Sequence, residues 1–241
     1  MASQGRFFRL CRRILRIRYA RFRQIGEADI TGPVVYICRH RNAKGPVSAL
    51  CLLPMNTLPW VISAFMKRDT CIDHMKNYTF SVTWKRGPQQ ARRLANLCGP
   101  LFSRLVRSTG AIPVYRNSLQ VRETFRQSID ALSAGSSLLI FPDVDYSRES
   151  GDIDALYDGF LLLEQLWHRR TGEHIRFVPV NVSLTKKTIV IGKSISFSDK
   201  LSFHEEKSLV AKRLQDTLNQ MAREIRRVRR KADGKGRPEA P

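Results

Sequence analysis

The sequence predicts an α/β fold: a central, mostly parallel or mixed sheet flanked by helices, with a basic amphipathic helix at each end. Three observations predict it. Short β-branched runs alternate with longer stretches of helical period along most of the chain. Hydrophobic residues make up 42% of the 241 residues, enough for a core of ordinary size. No internal repeat and no clear linker interrupts the alternation.

Residues 6 to 23 contain eight arginines and no acid. At about 100° per residue, Phe7, Phe8, Leu10, Cys11, Ile14, Leu15, Ile17, Tyr19 and Phe22 share one broad arc, and most of the arginines, Arg12 among them, take the other. A basic helix with a Phe/Leu/Ile face suits an anionic membrane interface, and equally a helix packed on the domain with a solvated basic face. Pro33 to Cys38 follows Gly32 as a buried strand. Val47 to Met66 is uncharged and, at the ~20 residues that span a bilayer, long enough to do so. Its Pro54, Asn56, Thr57 and Pro59 favour a buried helix-turn-strand segment instead, with the strand inside Leu58 to Met66. Gln89 to Arg107 reads as a helix, Ile112 to Tyr115 as a strand after Gly110, Ser118 to Ala134 as a helix and Ser137 to Phe141 as a buried strand. Asp154 to Arg170 reads as helical, Phe177 to Val182 and Thr188 to Ile191 as strands, and Glu205 to Lys231 as a long basic helix. Residues 1–25 are expected to form the interface helix, 26–203 the α/β domain, 204–231 the second basic helix and 232–241 a disordered tail.

The balance of 42 Lys+Arg against 21 Asp+Glu leaves a net charge of +21, which calls for an anionic partner: nucleic acid, an acidic membrane or a phosphorylated substrate. Five cysteines, an odd number without CxxC spacing, argue against a disulfide framework and a zinc ribbon, and fit a reducing compartment. Arginines interrupt every apolar run near the N-terminus, so no secretory signal is expected.

Four short blocks carry the chemistry. Arg39-His40-Arg41-Asn42-Ala43-Lys44-Gly45-Pro46 places a histidine on a loop leaving a strand, where it can act as a general base near neutral pH, among cations able to hold an anion. Gly110-Ala111-Ile112-Pro113-Val114-Tyr115-Arg116 ends a strand on a guanidinium suited to bidentate phosphate contact. Phe141-Pro142-Asp143-Val144-Asp145-Tyr146-Ser147 leaves a buried strand at its carboxyl end, where α/β sites form, and opens a stretch that carries six of the 21 acids by Asp158. A solvated loop followed by acids in the first turn of a helix explains the later ones equally well. Phe177-Val178-Pro179-Val180 reads as a strand with an edge or a bend at Pro179.

Taken in order and spacing, the four blocks resemble the glycerolipid acyltransferases, the PlsC-like 1-acylglycerol-3-phosphate acyltransferases. His40 and Pro46 fit that family's N-H-x-S-x-x-D-P block; Gly110, Ile112 and Arg116 its G-x-I-x-x-x-R; Phe141, Pro142 and Ser147 its F-P-E-G-T-R-S; Val178 to Val180 its V-P-V; and Gly159 the glycine that opens the next helix. The resemblance covers roughly Gly26 to Ser198 and implies O-acyl transfer from acyl-CoA or acyl carrier protein to a hydroxyl of a (lyso)phospholipid or glycerol-phosphate acceptor, with His40 as base. It also implies that Arg116 and residues of the third block bind the acceptor phosphate; the basic residues beside His40 add Lys44 or Arg41 as auxiliary cationic contacts. The departures are specific. Gly45 stands at the position of the family's catalytic aspartate, Asp143 replaces a glutamate, Val144 a glycine and Tyr146 an arginine. Three outcomes stay open: a backbone carbonyl or water holds the His40 ring, another carboxylate reaches it, with Asp143 and Asp145 the first candidates, or the chemistry is lost. The three key residues His40, Arg116 and Asp143 are expected to converge.

Other readings compete. A non-catalytic, lipid-binding member of the same family needs no aspartate. Asp143-Val144-Asp145 is a D-x-D that can hold a divalent cation and nucleotide sugar. The charge alone fits nucleic acid, although no recognised motif for it is present and no specific nucleic-acid partner is expected. His74, His168, His174 and His204 show no metal spacing, so no metal and no permanently bound cofactor is expected, the acyl donor being a co-substrate. Cys38 is expected to be a small buried side chain rather than a nucleophile. The expected location is the cytoplasmic face of the cell membrane, held peripherally on anionic lipid.

Overall fold

The computed structural model describes residues 4–26, 30–40, 44–115, 119–144, 152–198 and 200–233, with side chains undescribed at residue 44 and from 226 onward. Of the tail expected to be disordered over 232–241, residues 232 and 233 are instead the last of a helix, and the rest lies outside the described residues. The fold is a mixed α/β arrangement with a seven-stranded sheet flanked by helices. Helices α1 (Arg6–Tyr19), α2 (Lys44–Leu52), α3 (Arg68–His74), α4 (Pro88–Ser108), α5 (Val121–Ser133), α6 (Leu162–Thr171) and α7 (Phe203–Asp233) accompany strands β1 (Arg23–Gly26), β2 (Val35–Cys38), β3 (Thr57–Ile62), β4 (Ile112–Val114), β5 (Ser137–Ile140), β6 (Phe177–Ser183) and β7 (Thr188–Ile191). The strand order is β1-β7-β6-β2-β5-β3-β4. Residues cluster into two compact units: Met1–Leu15 with Leu53–Leu139, and Arg16–Leu52 with Ile140–Pro241.

In the first unit β3 pairs in parallel with β4 and with β5. Its helical layer packs Cys71, Met75, Phe80, Ala91 and Ala95 together, with Phe65, Leu94 and Phe102 against them. Small residues let α3 and α4 approach closely: a Cβ at Gly99 would lie 2.6 Å from Ile72 Cγ1. Burial in this layer pushes the Cys71 thiol up to about 11. A nine-residue π-helical turn, Met75–Thr83, continues α3. The uncharged stretch Val47 to Met66 is α2, a turn and β3, and no helix among the described residues is long and apolar enough to cross a membrane.

In the second unit β6 lies between β2, which it pairs in parallel, and β7, which it pairs antiparallel. The expectation of an edge strand at Pro179 is corrected: β6 is interior and buried throughout. The Pro179 carbonyl accepts the Gly192 N–H (2.9 Å), and Gly192 leaves room for the proline ring, a Cβ at that position meeting Pro179 Cγ at 2.8 Å. Strand β1, absent from the sequence reading, is an exposed edge strand parallel to β7. Its four residues, Arg-Gln-Ile-Gly, show no apolar alternation, so only the backbone ladder reveals it.

Helix α1 is shorter than the arginine-rich run, and its buried side differs from the expected one. Phe8 and Arg12 are its buried residues, and Arg12 donates to the Leu53 carbonyl. Leu10, Ile14 and Ile17 are instead 58%, 60% and 78% exposed, flanked by exposed arginines. In the first unit, Leu97 and Leu101 on α4 are exposed too, and Arg104 one turn on lies over the Phe7 ring at 5.1 Å.

Candidate active site

Strand β2 is β-branched and fully buried, and its chain emerges at Arg39 and His40. The chain leaving β5 emerges at Phe141, Pro142 and Asp143. These two exits meet. The Asp143 carboxylate, 6% exposed, accepts the His40 backbone N–H through Oδ2 at 3.0 Å. The Phe141 ring stands edge-on to the His40 imidazole, with centroids 5.4 Å apart and planes at 75°. His40 is half-buried, so the ring combines a fixed backbone with access to solvent. Asp143 is thus seen holding the backbone of the candidate base, a different contact from the ring-orienting one expected of a triad carboxylate.

Asp143 is itself fixed by its backbone. It forms an antiparallel bridge with Leu156, the Val144 N–H reaches the Ala155 carbonyl at 3.4 Å, and the Tyr157 N–H reaches the Pro142 carbonyl at 2.8 Å. This pairing corrects the helix expected from Asp154. Residues 154–157 are extended against the site loop, a 3-10 turn covers Asp158–Leu161, and α6 begins only at Leu162. Helix α7 secures the returning chain: Asn219 accepts the Ile153 N–H at 2.7 Å and donates to its carbonyl at 3.1 Å. Two acids of the acidic stretch belong to the same clamp. Asp152 pairs with Arg223, and Asp158 with Lys207 at 2.9 Å.

Gly45 opens the first turn of α2, and its N–H donates to the His40 carbonyl at 3.0 Å. A Cβ there would lie 2.2 Å from the Arg39 carbonyl oxygen and 2.3 Å from that of His40. Both are backbone atoms, which cannot swing aside as a side-chain tip can. Glycine at this position therefore has a packing reason: the helix start sits directly on the strand exit that presents His40.

The remaining candidates divide. Pro142 and Pro179 are buried framework. Gly110 has φ +73 in the turn between α4 and β4, with its N–H on the Arg107 carbonyl at 3.1 Å, so it ends the helix. Cys38, 1% exposed, is a core residue. Arg41, Arg116, Asp145, Tyr146 and Ser147 lie outside the described residues, as does the side chain of Lys44. His40 and Asp143 converge, and Arg116 lies outside the described residues. The D-x-D reading keeps only Asp143 within the described residues, and its Oδ2 faces a backbone N–H.

Comparison with known proteins adds a likeness of fold. Among solved structures the fold is similar to the 1-acyl-sn-glycerophosphate (LPA) acyltransferase PlsC from Thermotoga maritima, with a TM-score of 0.51 and 9% identity over 89% of this chain and 79% of that one. What the two share is the fold. No family profile matches the chain, and no curated protein matches it.

Proposed function

We propose that this protein transfers a fatty acyl group from a thioester, acyl-CoA or acyl carrier protein, to a hydroxyl of a (lyso)phospholipid or glycerol-phosphate acceptor at a membrane surface. The observation that carries the reading is the pairing of His40 with Asp143 and Phe141 at the exits of β2 and β5. It joins the first and third sequence blocks in a fold similar to that of an acyltransferase. His40 takes the proton of the acceptor hydroxyl as that oxygen bonds to the thioester carbonyl carbon. The carbon–sulfur bond then breaks, and the imidazolium returns the proton to the departing thiolate. Asp143 keeps the backbone of His40 in register, and Phe141 limits the tilt of its ring. Arg116, with Arg41, Lys44 and Ser147, is assigned to the acceptor phosphate on the sequence pattern alone. Formation of free carrier thiol together with acylated product, from acyl-CoA or acyl carrier protein and lysophosphatidic acid or glycerol 3-phosphate, tests the assignment. The observation favouring a lipid-binding relative without turnover is Gly45, which supplies no carboxylate. Vesicle binding with no thiol release from either donor would select that reading.

Membrane contact is assigned to the exposed stripe of α1. Leu10, Ile14 and Ile17 are mostly exposed, and arginines on either side suit anionic head groups. Changing all three to glutamine is expected to weaken binding to phosphatidylglycerol vesicles by at least ~10-fold, given ~1.5–3 kcal/mol for each large apolar side chain fully buried. The melting temperature should stay within a few degrees, because surface changes usually cost within about 0.5 kcal/mol each. Cosedimentation and thermal melts check both halves. Unaltered vesicle binding would move the docking face elsewhere.

A further inference from the structure

In the second unit, Glu164 and His168 lie one turn apart on α6, and His174 follows the left-handed Gly172 that ends the helix. The chain reversal brings the three together, with one ligand atom from each lying within 4.8 Å of the others. The sequence reading gave these histidines no role, since the i,i+4 pair is a carboxylate and an imidazole, and the third member arrives only through the helix cap. The Glu164 side chain is 3% exposed and that of His174 is 26% exposed. His174 Nδ1 meets Glu164 Oε1 at 2.6 Å, and the Ile175 N–H donates to Glu164 Oε2 at 2.8 Å. The two imidazoles stack, 4.6 Å apart and 9° from parallel.

We propose that Glu164, His168 and His174 form a binding site for a divalent transition metal of the zinc type. Two imidazoles and one carboxylate are a donor set that suits zinc, cobalt or nickel and is poorly matched to calcium or magnesium, which prefer all-oxygen shells. The carboxylate is already oriented by a backbone N–H, the outer-shell support that metal ligands typically have. A tetrahedral ion at ~2.0–2.1 Å from two ligand atoms holds them about 3.3 Å apart, so His174 has to swing outward by somewhat under ~1 Å. It is the more exposed partner and has room to do so. The ion takes the place of the Nδ1–Oε1 hydrogen bond, and three protein ligands leave a fourth position to solvent. His174 precedes β6, whose Val180 pairs with Cys38, so the site lies at the opposite end of the strands from His40, roughly 20 Å away at ~3.3 Å per residue. The metal pins the end of α6 to the start of β6 and takes no part at His40.

The test uses the full chain, stripped with chelator and titrated with Zn²⁺ by calorimetry and with Co²⁺ by visible absorption. One Zn²⁺ per chain is expected, with a rise in melting temperature and Co²⁺ bands free of thiolate charge transfer, which separates the site from the five cysteines. His168→Gln leaves the Glu164–His174 hydrogen bond in place and is expected to weaken Zn²⁺ binding by about 100-fold or more, since even outer-shell changes cost 10–100-fold. His174→Gln should do the same. Absence of Zn²⁺ uptake by the folded wild type, or uptake by both variants as tight as that of the wild type, would overturn the proposal and leave the trio a hydrogen-bonded clip.

Discussion

Replacing Gly45 with aspartate, the residue found there in the acyltransferase pattern that the sequence resembles, is expected to destabilise the protein and to leave turnover no higher than before. The reason is steric. A Cβ at this position would lie 2.2 and 2.3 Å from two backbone carbonyl oxygens, those of Arg39 and His40. Either the α2 start or the β2 exit must move, and overpacking of this kind costs about 1–3 kcal/mol. Such a shift also displaces the residue it is meant to assist, since the Gly45 N–H is bonded to the His40 carbonyl. Alanine at this position should show the same loss of stability without introducing charge. Urea unfolding of the two variants checks the first half, and thioester turnover the second. Undiminished stability together with a gain of ten-fold or more in turnover would mean that the loop yields and the new carboxylate reaches His40.

Asp143 is the second sensitive point. Truncation to alanine leaves the half-buried His40 N–H without its carboxylate acceptor, which costs up to about 1–3 kcal/mol, and releases the backbone that presents the imidazole. Displacement of a catalytic group by ~1 Å can lower turnover by about 100-fold, so a loss of that order is expected. Asparagine keeps an oxygen able to accept the same N–H but removes the charge. If Asp143 acts through the backbone bond, Asp143→Asn should recover most of the stability and most of the turnover lost in Asp143→Ala. If asparagine is as damaging to kcat as alanine while restoring stability, the charge itself acts on the imidazole. Parallel melts and kcat measurements on the two variants separate these outcomes.

Much of the architecture is legible in the sequence because burial imposes pattern. β2, β5 and β6 are solid apolar runs and lie where the runs predict. The apolar Val47 to Met66 stretch resolves into helix, turn and strand on the strength of its prolines and polar residues. What the pattern misses is held by backbone geometry. β1 has no apolar face at all, and residues 154–157 make their backbone hydrogen bonds to the site loop rather than to a helix. In α1 the period is visible but its direction is not. Phe8 and Arg12 turn inward because Arg12 has a buried carbonyl to reach, and helical period cannot register a partner so far along the chain. The site shows the same division. The residue types His40, Phe141 and Asp143 stand out by spacing, yet the contact that joins them is a backbone N–H to a carboxylate 103 positions away. Gly45 reads as a lost catalytic residue in the sequence and as a close backbone crossing in three dimensions.

The central claim is that His40 is the base of a thioester-dependent acyl transfer. It is tested most directly by release of carrier thiol, with acyl-CoA and acyl carrier protein as donors, lysophosphatidic acid and glycerol 3-phosphate as acceptors and anionic vesicles present, comparing the wild type with His40→Gln and His40→Ala at matched folded fraction. Removal of a positioned general base is expected to lower kcat by about 10²–10⁴-fold with vesicle binding unchanged. Turnover that survives both substitutions would contradict the claim and take His40 out of the mechanism.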